Sequence, residues 1–239
     1  MSTRLQLFCF RHAGGSGAAF FGWQNRLGPS VDVVPLELPR QCLTMTELAD
    51  LLLADLTPLP RTPFAFYGHS MGALVAYHVA RLLLQRTAEM PQRLLVGSFP
   101  APHLRHGLAG AAELPDERLL ATAAGIDGLP ATLRDDASWR TCTARSLRAD
   151  LAVCATGQVH DTAVPLPCPI EVFVGTSDPL VRPRDAAAWA MHTDAGCRVH
   201  PMNGGHFFVR ESKDDFFCRL SQVLAPPVPS REALTLRVA

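Results

Sequence analysis

Phe64-Ala65-Phe66-Tyr67-Gly68-His69-Ser70-Met71-Gly72-Ala73 is the stretch on which the fold turns. Phe64 to Tyr67 reads as a brief aromatic strand, and from Ala73 to Arg86 the residues Leu74, Tyr77, Ala80, Arg81 and Leu84 keep helical spacing. Between them stands Gly68-His69-Ser70-Met71-Gly72, a G-x-S-x-G segment. A serine on a sharp strand-to-helix turn has strained backbone angles and is pushed out at the end of a sheet, and glycines on either side let strand and helix approach closely. Five residues of this kind also recur by chance, as a small-residue turn with a hydroxyl helix cap. The strand before and the helix after are what make this copy informative.

Working outward, the chain alternates strands with helices. Leu5 to Phe10 is an apolar strand that feeds the glycine-rich turn Arg11-His12-Ala13-Gly14-Gly15-Ser16-Gly17. A helix is expected from Ala18 to about Leu27, a strand over Val31 to Leu38, a helix over Thr46 to Leu56 and a strand over Leu94 to Val96. Pro169 to Val174 and Arg198 to Met202 are further strands, with helices expected from Arg184 to Met191 and from Phe207 to Leu224. Such alternation implies an α/β protein with a mostly parallel central sheet covered by helices on both faces. Between about Pro100 and Pro165 the pattern changes. Leu119, Leu120, Ala123, Leu133, Trp139, Leu147 and Leu151, punctuated by Gly125, Gly128 and Pro130, indicate short helices inserted as a lid. The expected division is a core of residues 1–99 and 166–226, a lid of 100–165, and a tail of 227–239 that carries Pro227 and Pro229.

Composition narrows the partners. The 239 residues hold 48% hydrophobic and 18% charged side chains, a globular balance, and 22 basic residues offset 22 acidic ones. With no surplus positive field, nucleic acid and anionic membrane surfaces are not expected partners. Lys213 is the sole lysine and follows no glycine loop, which excludes a Walker A site. The seven cysteines are scattered, with no C-x-x-C and no zinc-type spacing, so reduced thiols in a cytoplasm are expected. The apolar run Leu5 to Phe10 is too short for a signal peptide, and no stretch reaches the length needed to span a bilayer.

A serine nucleophile needs a general base, and the base needs an orienting carboxylate. His206 follows Gly204-Gly205 after the last strand, and Asp178 follows the strand that ends at Val174, so both fall at the same sheet edge as Ser70. The chain order Ser, Asp, His is that of the α/β-hydrolase fold. His69, His200 and His12 are competing bases, each with a plainer structural reading, and Asp161, Asp185 and Asp194 are competing acids, none of which follows a strand so directly as Asp178. This fold takes one oxyanion donor from the residue after the nucleophile and another from an early strand-to-helix loop. The backbone N–H groups of Met71 and Ala13 are the candidates. No metal or organic cofactor is required.

Taken together, Cys9-Phe10-Arg11-His12-Ala13-Gly14-Gly15-Ser16, Gly68-His69-Ser70-Met71-Gly72-Ala73, Leu147-Arg148-Ala149-Asp150, Gly175 to Asp178 and Gly205-His206-Phe207-Phe208 resemble the type II thioesterases of polyketide synthases and nonribosomal peptide synthetases. The resemblance covers nearly the whole chain. It implies an α/β-hydrolase with a helical lid that clears wrong or stalled acyl groups from the phosphopantetheine arm of acyl or peptidyl carrier proteins, with Ser70, Asp178 and His206 as its triad. It also implies a monomer. A carboxylesterase or lipase acting on free esters, and a catalytically idle acyl-binding protein, are the alternative readings. Two places depart from the family: Arg11 stands where proline is usual, and Leu38-Pro39-Arg40 runs directly into Gln41-Cys42-Leu43, shortening a loop at the substrate entrance. In the lid, Leu119, Leu120, Trp139, Leu147 and Leu151 either shape an acyl pocket or pack the helices. Arg148 and Asp150 are the polar exceptions. They read as an internal ion pair or as contacts to an acidic carrier protein or its phosphate.

Overall fold

A computed structural model describes residues 4–129, 136–159 and 164–225. Leu133, Asp161 and the proline-bearing tail lie outside the described residues. Six strands, β1 (Leu5–Phe10), β2 (Val31–Leu36), β3 (Phe64–His69), β4 (Leu94–Gly97), β5 (Ile170–Gly175) and β6 (Cys197–Met202), form one sheet in the order β2-β1-β3-β4-β5-β6. Every neighbouring pair is parallel. Because β2 and β3 flank β1 on opposite sides, the chain reverses its direction of travel there. A crevice opens at such a switch point, outside the carboxyl ends of the strands.

The strands alternate their burial between two apolar layers, as the two-residue period requires. On β1, Phe8 and Phe10 enter one layer while Leu5, Leu7 and Cys9 enter the other. On β3, Phe64 and Phe66 face the first and Ala65 and Tyr67 the second. The first layer packs under α2 (Met45–Asp55) and α3 (Met71–Arg86), through residues such as Leu48, Leu52, Leu74 and Leu83. The second packs under α1 (Trp23–Leu27) and, near the C-terminus, α8 (Lys213–Leu224), where Trp23 meets Phe216 and Phe217 edge-on at centroid distances of 5.4 and 5.1 Å. Central strands buried on both faces read as near-continuous apolar runs, which is why β1, β3 and β5 were legible.

Some expected elements divide. The helix expected over 18–27 is a 3-10 turn (Gly17–Phe20) and then α1, separated by Gly22 in the left-handed region at φ 79°. The strand expected to reach Leu38 ends at Leu36. The segment expected as one helix from 207 is α7 (Phe208–Glu211) followed by α8, broken at Ser212 with φ −116° and ψ 50°. The segment expected over 184–191 is α6 (Pro183–Ala187) followed by a 3-10 turn.

Between β4 and β5 lie a short 3-10 turn at Ala111–Glu113 and the helices α4 (Asp116–Gly125) and α5 (Ala137–Ala155). They carry their own small core of Ala111, Leu119, Ala123, Leu147 and Leu151, which packs over Ala13 at the carboxyl edge of the sheet. Arg148 ties these pieces together. Its guanidinium donates to the carbonyls of Ala112 and Leu114 and pairs with Asp116. Asp150, two residues on, faces elsewhere and pairs with Arg11. Asp150 thus enters a buried ion pair and Arg148 a largely exposed one, with different partners because positions two apart on a helix do not share a face.

Candidate active site

Ser70 begins the turn from β3 into α3 with φ 54° and ψ −126°. A non-glycine residue held there costs about 1–3 kcal/mol and persists only where its surroundings force it. They do so here: a methyl group on Gly68 would stand 2.1 Å from the Gly72 carbonyl oxygen, and one on Gly72 would stand 2.1 Å from that of Phe10. The Ser70 N–H donates to the Gly97 carbonyl at 2.7 Å and its carbonyl accepts from Ala73 N–H at 2.9 Å, so the turn is bonded on both sides.

The structure brings the three predicted side chains together. Ser70 Oγ lies 3.0 Å from His206 Nε2, and His206 Nδ1 lies 3.0 Å from Oδ2 and 3.2 Å from Oδ1 of Asp178. Asp178 Oδ1 also accepts N–H bonds from Leu180 at 2.8 Å and Val181 at 3.3 Å. Burial pushes the Asp178 carboxyl up, but its hydrogen bond to His206, the charge of that ring and the Leu180 N–H together hold it below the usual carboxylate range. An ionised Asp178 accepts the Nδ1 proton of His206, which leaves Nε2 free to accept from the serine hydroxyl.

His206 is only 3% exposed, and two residues fix its loop. The Glu211 carboxylate receives the Gly205 N–H at 3.0 and 3.1 Å. His69 Nε2 lies 2.9 Å from the His206 carbonyl, and a carbonyl only accepts, so that nitrogen carries the proton. His69 Nδ1 then accepts from the Tyr67 hydroxyl at 3.3 Å. His69 is therefore a strut beneath the loop, and no base. His200 is bonded to Glu171 at 2.6 Å and stacks on Phe173, away from the serine. His12 lies against Phe207, edge-on at 5.0 Å, and burial, with the charges of Arg210, Arg11 and His206, lowers its pKa to about 3. Of the rival acids, Asp185 accepts from the Arg182 N–H at the start of α6, and the Asp194 N–H donates to the Leu166 carbonyl.

Ser70 and His206 open into a cavity roofed by the inserted helices. Leu108, Leu119, Leu147 and Leu151 line its upper part, and its empty space amounts to about 520 Å³ counting the mouth. Ala13 and Gly14 form one wall. Met71 is the first residue of α3, so its N–H belongs to the unpaired donors of a helix N-terminus. Arg40, in the shortened loop, donates to the Gly15 carbonyl at 3.3 Å and so lies beside the same wall. Sequence reasoning missed the supports: His69 and the Arg11–Asp150 pair join residues more than a hundred positions apart, and Glu211, though only six residues from Gly205, reaches back across a turn that carries no capping signal. Among the described residues no cluster of three or more His, Cys, Asp or Glu is placed to hold a metal ion, and no helix is long and apolar enough to cross a membrane.

A serine on a strand-to-helix elbow, a histidine and an acid from later loops, and a helical insertion over the edge of a parallel sheet define an α/β-hydrolase. Comparison with known proteins takes this further. The Thioesterase domain family model matches residues 5–222, and the chain belongs to that family. It is an enzyme that hydrolyses thioesters. Gramicidin S biosynthesis protein GrsT of Aneurinibacillus migulanus is 31% identical over 95% of this chain and 93% of its own. Thioesterase PikA5 of Streptomyces venezuelae is 31% identical over 88% and 77%. Among solved structures, the RedJ thioesterase from the prodiginine biosynthetic pathway of Streptomyces coelicolor superposes with a TM-score of 0.84 at 35% identity, over 92% of this chain and 85% of that one.

Proposed function

We propose that the chain is a type II thioesterase that releases acyl groups from the phosphopantetheine arm of acyl or peptidyl carrier proteins, using Ser70, His206 and Asp178. The unbroken hydrogen-bond path from Ser70 Oγ through His206 to Asp178, opening on an apolar cavity, carries this reading. The biosynthetic roles of GrsT and of BorB, a type II thioesterase from the borrelidin biosynthetic cluster that is 30% identical with a TM-score of 0.81, support the carrier-bound substrate.

In this reading Ser70 Oγ attacks the thioester carbonyl carbon while His206 Nε2 takes the hydroxyl proton and Asp178 stabilises the resulting imidazolium. The carbonyl oxygen becomes an oxyanion held by the N–H groups of Ala13 and Met71, worth about 3 kcal/mol for each donor. Collapse breaks the carbon–sulfur bond, and His206 returns the proton to the departing thiol. Water then attacks the acyl-enzyme, giving its proton to His206, and the acid leaves with Ser70 restored. The acyl chain lies among Leu119, Leu147 and Leu151.

Ser70→Ala should lower kcat by about a million-fold, as loss of a serine nucleophile does. The assay follows hydrolysis of acyl-carrier protein by mass spectrometry, beside simple esters of the same acyl groups. Unchanged activity of Ser70→Ala sinks the triad assignment. Faster turnover of free esters than of carrier-bound groups favours the esterase reading, and failure of a fluorophosphonate to label the folded protein favours the idle one.

A further inference from the structure

Arg11, the first residue after β1, is buried in the body of the protein with its side chain only 1% exposed, and it faces Asp150 of α5, whose side chain is 7% exposed. Arg11 Nη1 lies 2.5 Å from Oδ2 and Nη2 3.2 Å from Oδ1. A two-pronged pair of this kind is what offsets the desolvation of two charges. Both partners do more than face each other. Arg11 Nη1 also donates to the His12 carbonyl at 3.2 Å, and Asp150 Oδ2 also accepts the Gly14 N–H at 2.7 Å.

Ala13 sits between those two anchored positions. The His12 carbonyl and the Ala13 N–H belong to one planar trans peptide unit and point in opposite directions, so a group that fixes the first aims the second. The Gly14 N–H fixes the next peptide plane in the same way. Beneath, the Arg11 carbonyl oxygen lies so close to the elbow that a methyl group on Gly72 would come within 2.6 Å of it. The wall carrying Ala13 is thus held from below by the elbow and from above by one carboxylate of the inserted helix.

We infer that the Arg11–Asp150 pair is a positioning device for the oxyanion site: it clamps the peptide planes on either side of Ala13, aims the Ala13 N–H into the cavity over Ser70, and makes α5 part of the catalytic frame. The inference rests on Ser70 as nucleophile and Ala13 as oxyanion donor. Neither Arg11 nor Asp150 touches the reacting atoms, so an ordinary fold-stabilising ion pair is the competing account.

Two variants separate the accounts. Arg11→Met keeps the volume but leaves Asp150 unpaired, whereas Arg11→Met/Asp150→Asn removes both charges, keeps an acceptor for Gly14 and has no unpaired buried ion. Each is melted thermally, its competent serines are counted with a fluorophosphonate, and p-nitrophenyl butyrate and an acyl-pantetheine thioester serve as substrates. Losing an oxyanion donor outright costs about 100- to 1000-fold in kcat, so a misaimed one should cost about 10- to 100-fold per competent serine, with KM changed no more than about twofold. The inhibition constant of a trifluoromethyl ketone, which forms a tetrahedral oxyanion adduct on the serine, should rise in step with the loss of kcat. In the double variant the melting temperature should recover while kcat and the inhibition constant do not. Recovery of all three in the double variant overturns the inference and leaves a fold-stabilising pair. Ser70→Ala, run alongside, distinguishes this failure from failure of the serine mechanism itself.

Discussion

At Gly72 the demands of catalysis and of packing fall on one Cα. The residue must let the start of α3 lie against the backbone of β1, and the atom that a side chain would strike is the Phe10 carbonyl oxygen, 2.1 Å from the position of a Cβ. Backbone inside a buried strand cannot yield as a flexible side chain does. Gly72→Ala should therefore destabilise by about 3 kcal/mol or more, near the upper end of overpacking effects. For a chain of this size that lowers the melting temperature by roughly 10 °C, which circular dichroism would read directly. A variant that melts with the parent would mean that α3 can move away from β1 at no cost in stability. That a glycine is needed here was legible beforehand, because the glycine, the serine and the helix start lie within a few residues, but that it meets Phe10 of β1 was not. Nor was the clamp on Ala13, since Arg11 and Asp150 are 139 positions apart and only the folded sheet puts an arginine after β1 beneath a helix of the insertion. Leu147-Arg148-Ala149-Asp150 was recognisable as a motif, and a spacing of two on a helix sets the two charged residues on different faces, but it names neither partner.

At the scale of elements, amphipathic period told which segments are helices but not where they break. Thr44 accepts from the Glu47 N–H at 3.2 Å while the Glu47 carboxylate receives the Thr44 N–H at 3.1 Å, a capping box that starts α2 at Met45, one residue before the expected Thr46. The break at Ser212 had no such signal. It follows the turn in which Glu211 reaches back to Gly205, and α8 then restarts with Asp214 and Asp215 favourably placed in its first turn. The inserted helices α4 and α5 give a sharper test, because their facing residues both pack and line the cavity. Ala123 of α4 is buried in that small core and borders the open space. Ala123→Leu adds three carbons to the wall without adding charge. Hydrolysis of decanoyl-pantetheine should fall by about 10-fold or more in kcat/KM, while acetyl-pantetheine changes by less than about threefold, since a few methylenes in an apolar pocket are worth that much discrimination. Equal losses for both chains would show that the cavity under α4 and α5 is not where the acyl group lies.

Across the whole molecule, alternation of strands and helices was enough to indicate a parallel sheet with two covered faces, but not the order of its strands, which depends on which way each crossover turns. That order decides the site: with β1 between β2 and β3, the loop of Ala13 and the elbow of Ser70 become neighbours at the switch point. Closing so many polar loops over the sheet also leaves imidazoles buried in neutral form, and this gives the fold an acid limit. Burial lowers the pKa of His12 to about 3, aided by Arg210, Arg11 and His206, and that of His192 to about 4. Burial lowers His69, His78 and His106 as well. An unfolded chain protonates these rings near pH 6.5, whereas the folded one resists until far lower pH, so stability falls as the solution is acidified from about 6.5 toward 3. Asp178 acts at a different pH. Held below the usual carboxylate range, it adds stability above about pH 4 that is lost only below it, which leaves the interval from 6.5 to 4.5 to the histidines. By pH 5, His12 alone should account for about 2 kcal/mol, or roughly 6 °C of melting temperature. Calorimetry at pH 7.5 and pH 5 should show a large drop for the parent chain and, for His12→Gln, a drop smaller by about that amount. If the two proteins lose the same number of degrees, His12 takes up its proton without unfolding and the ring is better solvated than its packing against Phe207 implies.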